Sequence, residues 1–129
     1  MASLAMPIPY RSELRPFLEE FADHHRGVRL GQMFGLPAIY VGRRLVTCLI
    51  EDGIIVRLPD EDARRELKAR RAAPYSFRGK PMGTWVMYTP RSARGARALT
   101  PIVEVAVRHM AERATEELTG VAITRRTRR

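Results

Sequence analysis

Residues 45–58 read LVTCLIEDGIIVRL, two apolar runs separated by an acidic pair and a glycine. Asp52-Gly53 between such runs predicts a two-residue mirror-image turn, because that turn needs positive φ at both central positions and Asp-Gly tolerates it. The register follows: Glu51 opposite Ile54, Ile50 opposite Ile55, Leu49 opposite Val56, Cys48 opposite Arg57 and Thr47 opposite Leu58. Strict alternation then puts Leu45, Leu49, Val56 and Leu58 on one face, and Val46, Cys48, Ile50 and Ile55 on the other. Both faces are apolar. Such a hairpin is central and covered on both sides, or covered on one side and dimerised through the other. Upstream, Gly42-Arg43 predicts a second tight turn, with Tyr40 opposite Leu45 and Ile39 opposite Val46.

The period of two extends outward over residues 28–58, so the centre reads as a β-meander. Before it, Leu14, Phe17, Leu18 and Phe21 fall at helical spacing and predict an N-terminal helix. Ser12 is its natural cap, although Pro16 at N4 would delete a hydrogen bond and move the start. After it, PDEDARRELKARR (59–71) predicts a short surface helix capped by Asp60, with Ala63 and Leu67 inward. Its charges pair as Asp60–Arg64, Glu61–Arg65 and Glu66–Arg70. A last strand is expected over 84–88, between Gly83 and Pro90, followed by RSARGARAL (91–99) as a flexible basic connection. Thr100-Pro101 then opens a long C-terminal helix whose stripe is Val103, Ala106, Val107, Met110, Ala114 and Leu118, ending at Gly120. The expected fold is α+β: an antiparallel meander packed with an N-terminal helix, a short surface helix and a long C-terminal helix. Residues 1–11 read as a flexible leader, 12–120 as the domain and 121–129 as a disordered basic tail.

At 129 residues, 45% of them hydrophobic, the chain can bury one core without metal or disulfide staples. The single Cys48 and a start without a charged, apolar export signal point to the cytoplasm. No apolar run approaches the roughly 18 residues of a membrane span. The net charge of +9 is concentrated, because four positive charges sit in the final RRTRR. All but two of the 23 basic residues are arginine, a skew that genome composition alone can produce.

Three segments in fixed order carry a resemblance: MFG at 33–35, VRLPDED at 56–62 and GKPMGTW at 79–85. Together they resemble the N-terminal domain family of the competence regulator TfoX, also called Sxy, over Leu14 to Leu118. Family members usually carry a second glycine after MFG, where this chain has Leu36. The resemblance implies an α+β fold with an antiparallel sheet and a regulatory, transcription-linked role exerted by binding. That regulator's second, helical domain has no counterpart in these residues.

Little here points to catalysis. His24 and His25 follow Asp23 without further ligands at metal spacing, Cys48 sits among apolar strand neighbours, and RGKP (78–81) lacks the upstream glycine and the hydroxyl of a phosphate loop. No catalytic, cofactor-binding or metal residues are therefore assigned. The candidate partner-binding residues are Arg91, Arg94 and Arg97 in the connection and Arg125, Arg126, Arg128 and Arg129 in the tail, with Tyr75, Trp85 and Tyr88 as stacking groups. The expected activity is protein–protein interaction. Non-specific nucleic-acid binding through those arginines is the alternative, a homodimer is a further candidate, and no membrane partner is expected.

Overall fold

A computed structural model describes the backbone of residues 8–127 and the side chains of residues 8–115. Six antiparallel strands form one sheet: β1 (Arg29–Met33), β2 (Leu36–Val41), β3 (Arg44–Ile50), β4 (Gly53–Arg57), β5 (Ala73–Phe77) and β6 (Lys80–Tyr88), in spatial order β1-β2-β3-β4-β6-β5. The helices are α1 (Arg15–His24), α2 (Asp60–Lys68), α3 (Ala93–Ala96) and α4 (Thr100–Thr127). The fold class matches the expectation.

One face of the sheet carries the main core. There Leu14, Leu18 and Phe21 of the N-terminal helical segment and Val103, Ala106 and Met110 of α4 bury against Ile39, Leu49, Ile54, Val56 and Val86. The periodicity that marked these two helices is the periodicity that buries them. Helix α1 begins at Arg15, after a 3-10 turn over Ser12–Leu14, and Ser12 makes no cap bond. Pro16 is the reason, since a proline fits only the first helical turn. Helix α4 continues past Gly120, where its end was expected; glycine weakens a helix without stopping it when no proline follows.

The central hairpin forms, with its turn displaced. Ile50 pairs with Gly53, Leu49 with Ile54, Cys48 with Ile55 and Thr47 with Val56, so the loop is Glu51-Asp52. Neither loop residue has positive φ. Gly53 is glycine for another reason: a Cβ there would overlap the carbonyl oxygen of Tyr88 on the adjoining strand. Upstream the faces are exchanged. Ile39 pairs with Thr47 and Tyr40 with Leu45, leaving Val46 as the extra residue of a β-bulge. Val46 and Thr47 are therefore both fully buried on or beside the helix-covered face, and Leu45 turns to the other. The Thr47 hydroxyl is satisfied by donating to the Ile55 carbonyl at 2.7 Å.

Two segments differ from the expected connections. Residues 73–77 form an edge strand, β5, pairing with a β6 longer than the expected 84–88. Residues 93–99 of the basic connection are helical: Ser92 caps α3 by accepting from the Gly95 amide, a 3-10 turn over Arg97–Leu99 follows, and Ala96 is fully buried. The leader's residues 8–11 lie against the domain, the Arg11 amide bonding the Ile50 carbonyl at 3.1 Å and its guanidinium the Pro90 carbonyl at 2.9 Å.

Helix α2 docks through a buried carboxylate. Arg70 adopts a left-handed φ of +59° that closes the helix, and the Arg71 amide returns to the Glu66 carbonyl at 3.1 Å. That reversal brings Arg71, rather than the expected Arg70, to the Glu66 carboxylate at 2.7 Å. Arg65 bonds Asp62 at 2.6 Å in place of Glu61.

Candidate functional site

The opposite face of the sheet has no helix packed on it among the described residues. Leu36, Ala38, Cys48 and Ile55 form its floor, flanked by Leu45, Ile50, Tyr75 and Trp85. The strand alternation that buries Val86 and Tyr88 under the helices turns Trp85 and Met87 to this side.

The floor becomes a groove because both edge hairpins reach it. The β1–β2 hairpin turns at Phe34-Gly35, with φ of +52° and +82°, and the β5–β6 hairpin at Arg78-Gly79, with φ of +54° and +77°. Both are mirror-image turns in which a bulky first residue takes the left-handed region. Strand β6 pairs with β4 only as far as Trp85, and the Leu58 amide then bonds the Thr84 carbonyl at 3.1 Å. Beyond this, Gly83 has φ of +59° and the β5–β6 pairing slips between Pro74 and Ser76. A glycine in that conformation inside a strand bends it. Phe77, Arg78 and Met82 from this hairpin consequently line one groove of about 750 Å³ with Met33 and Phe34 from the other. Ile8 and Pro9 close one side.

Apolar side chains dominate the lining, and the tips are unusually open: Phe34 is 78% exposed, Phe77 47% and Met82 36%. The charged groups of the lining are Glu51 and Arg78. The Arg78 guanidinium lies 5.2 Å from the Phe77 ring centroid, a cation–π contact. In the floor, burial pushes the Cys48 thiol up to about 12, so at neutral pH it is a small apolar side chain and not a nucleophile. Burial also raises Tyr75, with Cys48 nearby. A lining of this kind is suited to apolar groups.

The arginines selected from sequence lie elsewhere. Arg91 and Arg94 are exposed at and before α3, which packs on α1 in the helical layer. Arg97 donates to both carboxylate oxygens of Glu20, at 3.1 and 3.0 Å. Trp85 and Tyr75 are across the sheet from these residues, and Tyr88 is buried with its hydroxyl on Glu66. The three aromatic groups and the arginines therefore do not form one stacking platform. Arg125 and Arg126 fall within α4 but their side chains lie outside those described, and Arg128 and Arg129 lie outside the described residues altogether. His25 joins two helices, stacking on Phe21 at 3.7 Å and bonding Glu104 of α4 at 2.8 Å, while His24 bonds the Glu20 carbonyl within α1.

Sequence reasoning found the second apolar face but not the groove, whose walls come from segments more than forty residues apart. The Phe-Gly pair at 34–35 was the available signal, since a glycine after a bulky residue between two strand-like runs marks a hairpin tip. No helix among the described residues is long and apolar enough to cross a membrane. Comparison with family models, with curated proteins and with solved structures finds no match to this chain.

Proposed function

We propose that this chain is a non-catalytic, cytoplasmic binding module that works by protein–protein interaction, accepting an apolar segment of a partner on the helix-free face of its sheet. The resemblance to the TfoX N-terminal domain supports a regulatory, transcription-linked setting. The observation that carries the reading is the groove itself, bordered by Phe34, Phe77 and Met82, large apolar side chains left open to solvent. Phe34 also holds a left-handed backbone that costs a non-glycine residue about 1 kcal/mol, the kind of strain kept at ligand clamps.

The test is a photo-crosslinking side chain at position 34, followed by binding of the captured, purified partner to the whole chain. Met82→Glu should abolish that binding while leaving the melting temperature unchanged. Binding unaffected by Met82→Glu and by Phe77→Ser removes the groove from the function. Nucleic-acid binding through Arg91, Arg94 and the terminal arginines has the net charge of +9 in its favour. It predicts DNA affinity that falls steeply with salt, with a slope reduced when residues 125–129 are deleted.

A further inference from the structure

Resting on the interaction reading above, we infer that the partner segment is supplied by a second copy of this chain, the two copies meeting groove to groove across a two-fold axis. The charges of the lining are the first argument. Among the described residues that line the groove, only Glu51 and Arg78 are charged, one of each sign. They do not satisfy each other. Among the described residues neither makes an ion pair, and the Arg78 guanidinium rests on the Phe77 ring. An occupant must therefore bring a base to Glu51 and an acid to Arg78. The same lining turned over about an axis between these two residues brings both, because under two-fold symmetry residue i of one copy meets residue j of the other and j meets i. Each pairing so made occurs twice.

Shape is the second argument. A face that accepts its own copy needs a projection as well as a recess, and this one has both. Phe34 stands 78% exposed at the tip of the β1–β2 hairpin, on the border of a recess of about 750 Å³. The tip is held by a left-handed φ of +52° at Phe34 and of +82° at Gly35, so it meets the other copy without first being ordered. Two-fold symmetry seats Phe34 of each copy in the recess of the other, against the floor of Leu36 and Ile55 and beside Trp85. Phe77 and Met82 then lose the solvent that they face, on both copies at once.

The net charge of +9 does not prevent this contact. The lining is electrically balanced, and at ~0.15 M salt the repulsion between exposed charges elsewhere is screened beyond roughly 8 Å. The groove has fourteen lining residues, fewer than the roughly 20–30 a side of a standard interface. The expected product is therefore a reversible dimer with a dissociation constant on the order of 10 μM.

Trp85 is the only tryptophan and lines the groove, so its fluorescence reports occupancy directly. In sedimentation of the whole chain between about 1 and about 300 μM, the weight-average mass should climb from 14.7 kDa toward twice that value, and Trp85 emission should shift to the blue with the same midpoint. Met82→Glu should remove the transition from both readouts with the melting temperature unchanged. The deciding pair is Glu51→Arg and Arg78→Glu. Each alone sets like charges against each other twice and should weaken association at least about fivefold. An equal mixture of the two variants puts an acid opposite a base at both places and should associate at least as tightly as wild type. Single variants that associate normally, or a mixture that does not recover, overturn the two-fold arrangement. A chain that stays at 14.7 kDa throughout overturns the second copy. The interaction reading then survives if crosslinking at position 34 captures another protein whose binding Met82→Glu abolishes, and falls if it captures nothing. Self-association indifferent to Met82→Glu and to both charge variants uses another surface, such as the β1 edge, and overturns the proposal as well. A Trp85 shift on phosphatidylserine vesicles by a chain that remains monomeric assigns the face to a membrane surface and does the same.

Discussion

The Tyr88 hydroxyl donates to Glu66 Oε1 at 2.7 Å, and this bond links helix α2 to the strand beside the central hairpin. Glu66 as a residue is 7% exposed, and its other carboxylate oxygen accepts from Arg71 Nε at 2.9 Å. Arg71 holds the Glu66 carboxyl below the ordinary glutamate value against the opposing effect of burial, with the Tyr88 bond adding to it. Tyr88→Phe should leave a buried oxygen without its donor and cost about 1–2 kcal/mol, read as a lower denaturant midpoint at unchanged slope. Because the folded value is depressed, this contribution is present above pH 4.5 and is lost as the pH falls through the folded value. Glu66→Gln should flatten that acid limb.

Helices α1 and α4 are joined by His25 and Glu104, and the join is pH-dependent. Burial lowers the His25 value, but the Glu104 hydrogen bond and the Phe21 carbonyl raise it further, for a net rise above 6.5. A raised histidine stabilises the fold fully below its unfolded value and loses that contribution as the pH climbs through the folded one. Wild type should therefore melt lower at pH 8.5 than at pH 6 relative to Glu104→Gln, by a few degrees on a differential scan.

Gly53→Ala tests the close approach to Tyr88. The obstruction is backbone, which cannot swing aside, so the hairpin must separate from β6. A loss of roughly 2–3 kcal/mol is expected in urea unfolding, more than a glycine-to-alanine change costs at an open strand position.

At Phe34, stability and binding should part company. Phe34→Asn keeps a residue suited to the left-handed region before Gly35 and removes an aromatic side chain that is 78% exposed. The variant should be more stable by up to about 1 kcal/mol and should bind the partner several-fold more weakly. Equal affinity would mean that the tip takes no part.

Cys48 should react with a thiol reagent at neutral pH only on unfolding. Its labelling rate in mild denaturant would then report opening of the sheet centre, and fast labelling of the native chain would contradict its burial.

The helical layer was legible because each helix buries one periodic stripe, as at Phe17, Leu18 and Phe21 or at Val103, Ala106 and Met110. The hairpin was legible as an object and not as a register. Asp52-Gly53 has the chemistry of a turn, yet Gly53 is selected by a strand that arrives some thirty residues later, which local reading cannot register. Strand β5 was missed because APYSF carries a proline and few strand formers, and pairing with β6 overrides that composition. The arginine loop was read from its charges, whereas its conformation is decided by two buried positions, Ala93 in part and Ala96 wholly. The groove is the product of distant segments, and only the exposed aromatic tips hinted at it.

One inserted residue, Val46, decides which way the first half of the meander looks. Deleting it would leave Tyr40 opposite Leu45 and Ile39 opposite Thr47 in plain alternation, so Leu45 would keep its place on the groove side; what would go is a fully buried valine from beneath the helices. Were the same residues instead zipped together without the irregularity, Leu45 would roll under the helices and Arg44 would swing to the oily side, so the orientation of the cleft wall hangs on a local kink and not on the identity of the side chains.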